Sequence, residues 1–213
     1  MKPFTPWPER IVRQNTCLNT VPCAVLVPVI HKDGEEHLVF EVRSSKLDWQ
    51  PGEICFPGGR IDKTDASPLA AALRETREEL GVSADHIHLW GPLDYLESPV
   101  GVTVWLFAAY MDTTDFTLSA GEVDHTFTVP LKWFDDHEPE IGRIELATRP
   151  APDFPKDLDM PMRGEWRPRR TYNIKIYTYG NYKIWGITAH ILDNFRRSEE
   201  HTSELQSPYA ISY

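Results

Sequence analysis

The sequence predicts an α/β fold in which a mixed β-sheet lies between helices. Three observations predict it. Residues 23–30 and 102–111 are apolar and rich in β-branched residues, as buried strands are. An amphipathic helix is expected between them, after Pro68, and a second helix opens near Ile184. The order of strands and helices along the chain therefore favours an α/β/α sandwich.

Length, composition and charge favour one acidic globular domain. The chain has 213 residues, 41% of them hydrophobic, and shows no internal repeat, so we expect one domain over residues 1–196. The formal net charge of −10 and the pI near 5.2 disfavour a surface that binds nucleic acid. They are compatible with a small phosphorylated partner, because a bound metal can invert the field of an acidic site.

Cysteine usage and hydropathy lead to an expected compartment. Cys17, Cys23 and Cys55 are odd in number and have no C-x-x-C spacing, so neither a disulfide framework nor a zinc ribbon is indicated. The start of the chain lacks the apolar run of a signal peptide, and the run over residues 21–30 is too short to span a membrane. We expect a cytoplasmic protein with no membrane partner.

The first part of the chain predicts a hairpin that ends in a cation. A short helix is expected at residues 8–13, and strands are expected at 23–30 and 38–42. The Asp33-Gly34 pair between the strands is typical of a tight hairpin turn. Arg43 leaves the second strand and is either a solvated strand end or a contact for phosphate, which its planar fork suits.

A helix with clear start and stop signals follows a double-glycine turn. A short strand at residues 53–56 leads into Gly58-Gly59, where the backbone turns tightly or comes close to a ligand. Ser67-Pro68 favours the start of a helix and Gly81 favours its end. One side of this helix can pack on a sheet. That side carries Leu69, Ala72, Leu73, Thr76 and Leu80.

The last two turns of this helix carry three glutamates. Glu75, Glu78 and Glu79 are spaced i, i+3 and i+4, so their carboxylates are expected to converge on one small volume. Like charges repel there, and Mg2+ or Mn2+ relieves the repulsion because hard cations prefer carboxylate oxygens. A solvated acidic surface is the alternative for an isolated Glu-Glu pair. The double-glycine turn, Arg74 and Gly81 at fixed offsets favour the metal site instead.

The rest of the chain predicts further strands and a second helix. Strands are expected at residues 87–91, 94–98, 102–111 and 172–179. A turn at Gly180-Asn181 comes next, and residues 184–192 open a helix. Residues 137–169 are rich in proline and charge and show no periodicity. This segment either covers the non-phosphate end of a substrate or decorates the surface.

The segment around the three glutamates resembles the Nudix box. That box reads Gly, five residues, Glu, seven residues, then Arg-Glu-hydrophobic-any-Glu-Glu-any-Gly-hydrophobic; residues 74–82, RETREELGV, fit its second half. Asp65 stands where the pattern has Glu, which argues against a metal role for it, and Arg74 comes one residue later than in the pattern. This expansion, after Phe-Pro-Gly-Gly, is similar to the coenzyme A pyrophosphatase branch of the family. The likeness covers about residues 20–196.

This resemblance implies a Nudix fold and a metal-dependent hydrolase that cleaves a phosphoanhydride in a nucleotide-containing diphosphate. Mg2+ or Mn2+ is the implied cofactor. The implied metal ligands are Glu75, Glu78, Glu79, the Gly58 carbonyl and Glu122, the last of which is otherwise a plain surface acid in a late loop. Arg74 is expected to orient the glutamates and to join them as a catalytic residue. The implied substrate contacts are Arg43, Arg60 and Gly59.

The branch likeness favours coenzyme A as the substrate, giving 4′-phosphopantetheine and adenosine 3′,5′-bisphosphate. Two alternatives stay open: a related enzyme that cleaves ADP-ribose, a dinucleotide or a nucleoside triphosphate, and a Nudix domain that senses a nucleotide without turning it over. The retained glutamate triad argues against the sensor, because a pure binder does not need three crowded acids. A homodimer is also left open.

The end of the sequence is set apart from the domain. Residues 197–213 begin RSEEHTSELQS, which is similar to an in-frame translation of a sequencing-library adapter. We expect these residues to be a disordered, non-native tail and exclude them from the fold prediction. Resequencing the locus through these codons tests the hypothesis.

Overall fold

The computed structural model describes residues 20–155, 157–158 and 165–206. The predicted helix at residues 8–13 lies outside this part. Eleven strands and three α-helices follow one another in the described residues. The strands are β1 (Val21–Lys32), β2 (Glu35–Arg43), β3 (Ile54–Cys55), β4 (Gly58–Arg60), β5 (Ile87–Pro92), β6 (Leu96–Ser98), β7 (Val102–Met111), β8 (Val123–Pro130), β9 (Glu140–Thr148), β10 (Arg167–Tyr179) and β11 (Tyr182–Trp185). The helices are α1 (Pro68–Leu80), α2 (Trp133–Asp136) and α3 (Gly186–Gln206).

Strand β1 is the centre of an eight-stranded mixed sheet. It pairs in parallel with β7 over ten residues, from Val21 opposite Val102 to Ile30 opposite Met111. On its other side it pairs antiparallel with β2 near the hairpin and with β4 at residues 23–25. Beyond this pairing, β2 continues against β3, and its other edge pairs with β8 over residues 37–43. The double-glycine turn therefore enters the sheet where β1 and β2 part. The predicted α/β class with a mixed sheet is confirmed.

The predicted hairpin and the predicted helix limits are also found. Asp33 and Gly34 have φ values of 53° and 89°, the left-handed pair that a two-residue hairpin turn needs. The Ser67 hydroxyl accepts a hydrogen bond of 3.1 Å from the Ala70 N–H and caps α1. Gly81 ends the helix with φ 64° and donates to the Arg77 carbonyl.

Helix α1 covers one face of the large sheet. Ala71 and Ala72 pack on Ala24 of β1, and Leu80 packs in a cluster with Val39. Of the predicted apolar stripe, Ala72, Thr76 and Leu80 are buried, whereas Leu69 and Leu73 are half-buried. Because the alanines at the contact are small, the helix can lie close to β1. The glutamates in its last turns therefore lie near the point where β1 and β2 separate.

The opposite face is covered by α3 together with a second sheet of three strands, ordered β11-β10-β9. Tyr177 and Leu192 join Phe40 and Leu106 of the large sheet in the main core cluster. Residues 140–148, within the segment that is rich in proline and charge, form β9 and pair with β10. One predicted limit is wrong: the helix expected from residue 184 starts at Gly186, because Tyr182–Trp185 form β11 and complete a hairpin with β10.

Helix α3 starts at Gly186 and continues through Gln206, so the tail predicted to be disordered from residue 197 is helical that far. Glu, Leu and Gln in this stretch are good helix formers and extend a helix that Ile191 and Leu192 already anchor. Residues 207–213 lie outside the described part. Across residues 20–155, 157–158 and 165–206, no helix has the length and apolar character needed to cross a membrane.

Gly81→Ala is expected to lower the free energy of unfolding by more than about 1 kcal/mol, because the left-handed φ disfavours a side chain. The added Cβ would also lie 2.3 Å from the Thr117 carbonyl oxygen. Urea unfolding measures the loss. Gly101→Ala is the matched control, since Gly101 has φ 87° but open space around it. Equal losses in the two variants would contradict a steric contribution from Thr117.

Candidate active site

Two glycines bring the backbone of β4 against the sheet and against α1. A Cβ on Gly58 would lie 2.4 Å from the Ala24 carbonyl oxygen of β1. A Cβ on Gly59 would lie 2.5 Å from Glu75 Cδ and within 2.8 Å of both carboxylate oxygens. Real Cβ atoms do not approach other atoms this closely. The Glu75 carboxylate therefore occupies the space that any larger residue at position 59 would fill.

Glu79 is the buried glutamate of the three. Its side chain lies under the double-glycine turn, where Oε2 accepts a hydrogen bond of 2.8 Å from the Gly58 N–H. Burial raises the pKa of Glu79 to about 8, and the charge of Glu75 adds to the rise, while the Gly58 N–H opposes it. A cation close to this carboxylate would favour its ionised form.

The Arg74 guanidinium contacts the other two glutamates. Its Nη1 contacts Glu75 at 3.0 Å and Glu78 at 2.9 Å, and its Nε and Nη2 each donate to Asp65 at 3.0 Å. This double hydrogen bond lowers the pKa of Asp65. Asp65 is thus engaged by Arg74. Arg74 makes the contacts that its predicted orienting role requires, although the role itself stays a prediction.

The three carboxylates have different partners, and their convergence on one small volume stays a prediction. Glu79 accepts from the backbone N–H of Gly58, whereas Glu75 and Glu78 share the guanidinium of Arg74. Like charges on one helix repel, which explains why the carboxylates have different partners. Glu75 is half-buried and its pKa is raised by burial, against the effect of Arg74. Glu78 is exposed over 55% of its side chain.

Arg74→Lys is expected to lower turnover roughly 10-fold or more, as the loss of a partner that orients ligands typically does. A lysine ammonium cannot make the two parallel bonds to Asp65 and the contacts to both glutamates together. Steady-state kinetics measure the effect. Arg77→Lys, on the exposed side of the same helix, is the matched control. Equal rates for the two variants would contradict an orienting role.

Arg43 lies at the end of β2 beside this acidic region. Its Nη2 donates to the Trp49 carbonyl at 3.4 Å, and its buried Nε has no hydrogen-bond partner. A buried unpaired donor is a costly feature unless a ligand satisfies it. Arg60, by contrast, is exposed, and within the described residues no ion pair involves it. Arg43 is therefore the better supported of the two predicted phosphate contacts.

A loop carries Glu122 to the C-terminal end of α1. In this loop, the N–H groups of Thr117 and Ser119 donate to the carbonyls of Leu80 and Glu79, which have no hydrogen-bond partner within the helix. Glu122 precedes β8, and its carbonyl accepts from the Ser44 N–H, next to Arg43. Its charge acts on both Glu75 and Glu79. The structure thus brings Glu122 near the glutamates, although its side chain is exposed.

One acid of this region is absent from the sequence prediction. Glu41 of β2 is only 1% exposed, and its Oε1 has no hydrogen-bond partner. Burial raises the pKa of Glu41 well above its ordinary value, and the charge of Glu79 raises it further. The signal was present as one acid inside the apolar run Leu-Val-Phe-Glu-Val, but the sequence alone does not show that this position is buried.

Comparison with known families decides the identity of this region. The sequence model of the NUDIX domain matches residues 21–152, more than half of the chain. The chain belongs to the Nudix family. The matched segment contains the whole acidic region, from β1 through the loop that carries Glu122, so the Nudix assignment and the site geometry concern the same residues.

Individual Nudix relatives match similar or larger parts of the chain. Identity is 30% to the human "Mitochondrial coenzyme A diphosphatase NUDT8", over 80% of this chain, and 34% to the mouse "Peroxisomal coenzyme A diphosphatase NUDT7", over 62%. The chain spans 66% and 55% of the length of these two proteins. It is 30% identical to the "Uncharacterized Nudix hydrolase NudL" of Citrobacter koseri, over 82% of this chain and 81% of that protein.

The fold is similar to that of a solved Nudix protein. A MutT/nudix family protein from Enterococcus faecalis superposes with a TM-score of 0.52 and 15% identity, over 90% of this chain and 66% of the other. At this identity the likeness shows the fold alone. It is consistent with the mixed sheet and its helices described above.

Nudix hydrolases generally need divalent metal ions, so the donor set can be compared with that need. Among residues 20–155, 157–158 and 165–206, no three His, Cys, Asp or Glu side chains already have the arrangement of a metal site. The available donors nevertheless fit a hard cation. They are carboxylates, one of them buried with an unpaired oxygen and another buried with a raised pKa. A cation would offset both unfavourable features.

Proposed function

We propose that this protein is a divalent-metal-dependent pyrophosphohydrolase that cleaves coenzyme A or a derivative of it. The observation that carries the proposal is the acidic region itself: Glu79 buried under the Gly58 N–H and Glu75 packed against Gly59. Two relatives whose names are coenzyme A diphosphatase support the choice of substrate. The products would be 4′-phosphopantetheine and adenosine 3′,5′-bisphosphate.

Different residues of this chain would take different roles in such a reaction. Glu75, Glu78 and Glu79 would hold Mg2+ or Mn2+, with the Gly58 carbonyl and Glu122 as the further proposed ligands. When bound, the metal activates a water and offsets charge that develops on the phosphates. Arg74 limits the motion of Glu75 and Glu78 through its contacts of 3.0 and 2.9 Å. A carboxylate not engaged by metal can accept the proton of the attacking water.

Phosphate binding is assigned to Arg43, with Arg60 and the Gly59 backbone as further contacts. The unpaired Nε of Arg43 can donate to a phosphate oxygen, and its planar fork can hold two oxygens at once. Gly59 has no side chain to separate a ligand from the backbone. These contacts would place the diphosphate between Arg43 at the end of β2 and Gly59 and Arg60 of β4.

A substrate panel tests the proposal. The protein is incubated with Mg2+ or Mn2+ and, separately, with coenzyme A, ADP-ribose, a diadenosine polyphosphate or a nucleoside triphosphate, and the products are resolved by mass. Faster turnover of coenzyme A than of the others is expected. A faster rate on another member of the panel would replace coenzyme A. Binding without any product would support the sensor and overturn the proposed activity.

The remaining expectations stay predictions. The cytoplasmic location was expected from the sequence, while the names of two relatives are mitochondrial and peroxisomal. A homodimer and the absence of a nucleic-acid partner likewise stay predictions. Light scattering of the purified protein tests the homodimer, and a filter-binding assay tests for nucleic-acid binding.

A further inference from the structure

Glu41 lies on the side of the large sheet that α1 covers. Successive side chains of a strand point to opposite faces, so Val39, Glu41 and Arg43 of β2 share one face. Val39 packs with Leu80 of α1 on that face. Glu41 comes two residues further along the same face of the strand. Among the charges that act on Glu41, that of Glu79 in the last turn of α1 is the strongest.

The groups around Glu41 do not offset the negative charge of its carboxylate. The side chain is 1% exposed, its Oε1 has no hydrogen-bond partner, and within the described residues it forms no ion pair. The favourable charge that acts on Glu41 is that of Arg43, and its effect is smaller than the unfavourable effect of Glu79. A buried carboxylate without a partner is costly to folding, and a second buried carboxylate next to it adds to the cost. Such a pair is unusual unless a ligand joins it.

We propose that Glu41 supplies a carboxylate ligand, from the sheet, to the divalent cation held by Glu79 and Glu75 of α1. This inference rests on the proposed function of the same site. A hard cation prefers several carboxylate oxygens and would satisfy the unpaired Oε1. Because β2 and α1 would then share one ion, cation binding would also join two elements that already pack through Val39 and Leu80.

The experiment is a titration of the metal-free protein with Mn2+, followed by electron paramagnetic resonance of the free ion. Glu41→Gln is expected to raise the Kd for Mn2+ about 10-fold or more, since even residues that only orient ligands contribute 10- to 100-fold. Glu36→Gln is the matched control: it removes the same charge from the same strand at an exposed position. A Kd for Glu41→Gln within twofold of the control would overturn the proposal.

Thermal unfolding gives a second readout that does not depend on activity. In EDTA, Glu41→Gln is expected to unfold at a temperature equal to or above that of the wild type, because it removes a buried unpaired charge. Saturating Mn2+ is expected to raise the Tm of the wild type more than that of the variant. An equal rise in both would contradict the assignment. If Glu41→Gln does not fold, Glu41→Met, which needs no hydrogen-bond partner, replaces it in both measurements.

The two proposals fail in different ways. If the wild type binds Mn2+ and hydrolyses coenzyme A while Glu41→Gln keeps the wild-type Kd, only the role of Glu41 is overturned. If the wild type binds Mn2+ but turns over no member of the substrate panel, the proposed function is overturned whatever the variant does. In that case a weaker Kd in Glu41→Gln still supports the metal ligand.

Discussion

Glu79→Gln is expected to lower kcat on coenzyme A about 10²-fold or more, as the loss of a group that stabilises developing charge typically does. Glutamine has nearly the same shape, and its amide oxygen can still accept the 2.8 Å hydrogen bond from the Gly58 N–H. The substitution therefore removes charge and little else. Steady-state kinetics at saturating Mg2+ measure the effect, with Glu36→Gln as the control. A kcat close to that of the wild type would contradict the assignment of Glu79 to the site.

Glu79→Gln is also expected to make the free energy of unfolding in EDTA depend less on pH. Folding raises the pKa of Glu79 from 4.5 to about 8, so between these values the folded state keeps a proton that the unfolded state releases. Through this group, the free energy of unfolding of the wild type falls as pH rises over that range. Urea unfolding at pH 5 and pH 8 should show a smaller difference in the variant. Equal differences would mean that Glu79 is not desolvated.

Gly59→Ala is expected to lower kcat/KM by about 10²-fold, because a catalytic group displaced by roughly 1 Å can cost that much. The new Cβ would lie 2.5 Å from Glu75 Cδ, so the carboxylate must move. Kinetics on coenzyme A measure the loss, and a melting curve checks that the fold is retained.

Gly121→Ala serves as the control for that substitution. Gly121 lies in the nearby loop, has no atom within 4 Å of the position of an added Cβ, and does not have a left-handed φ. We expect it to keep the wild-type rate. Comparable losses in Gly59→Ala and Gly121→Ala would show that the effect does not arise from Glu75.

The parts of the fold that depend on local signals could be predicted. The limits of α1 follow from Ser67 and Gly81, and the first hairpin follows from Asp33-Gly34, because caps and turns are decided by a few adjacent residues. Of the second sheet, the strand at residues 172–179 and the following turn were predicted, but β9 and β11 were not. Strand β9 alternates only over a few residues, from Arg143 to Leu146, and its extent is set by its pairing with β10.

The candidate site shows the same limit. The three box glutamates and Arg74 are adjacent in sequence, so helix geometry places them together. The direction that each side chain takes depends on donors elsewhere in the chain, as when Glu79 accepts from the Gly58 N–H. Glu41 was missed for a related reason, since a single acid in a strand becomes significant only when another element buries it.

The ten-residue parallel contact of β1 with β7 has a consequence for how the chain refolds. The two strands come from separate parts of the sequence, and the whole Nudix box lies in the segment between them. Contacts between residues far apart in sequence form slowly, because a long loop must close first. We therefore expect α1 to acquire helical structure early after dilution from urea, and catalytic competence to return only with the slower kinetic phase in which this loop closes.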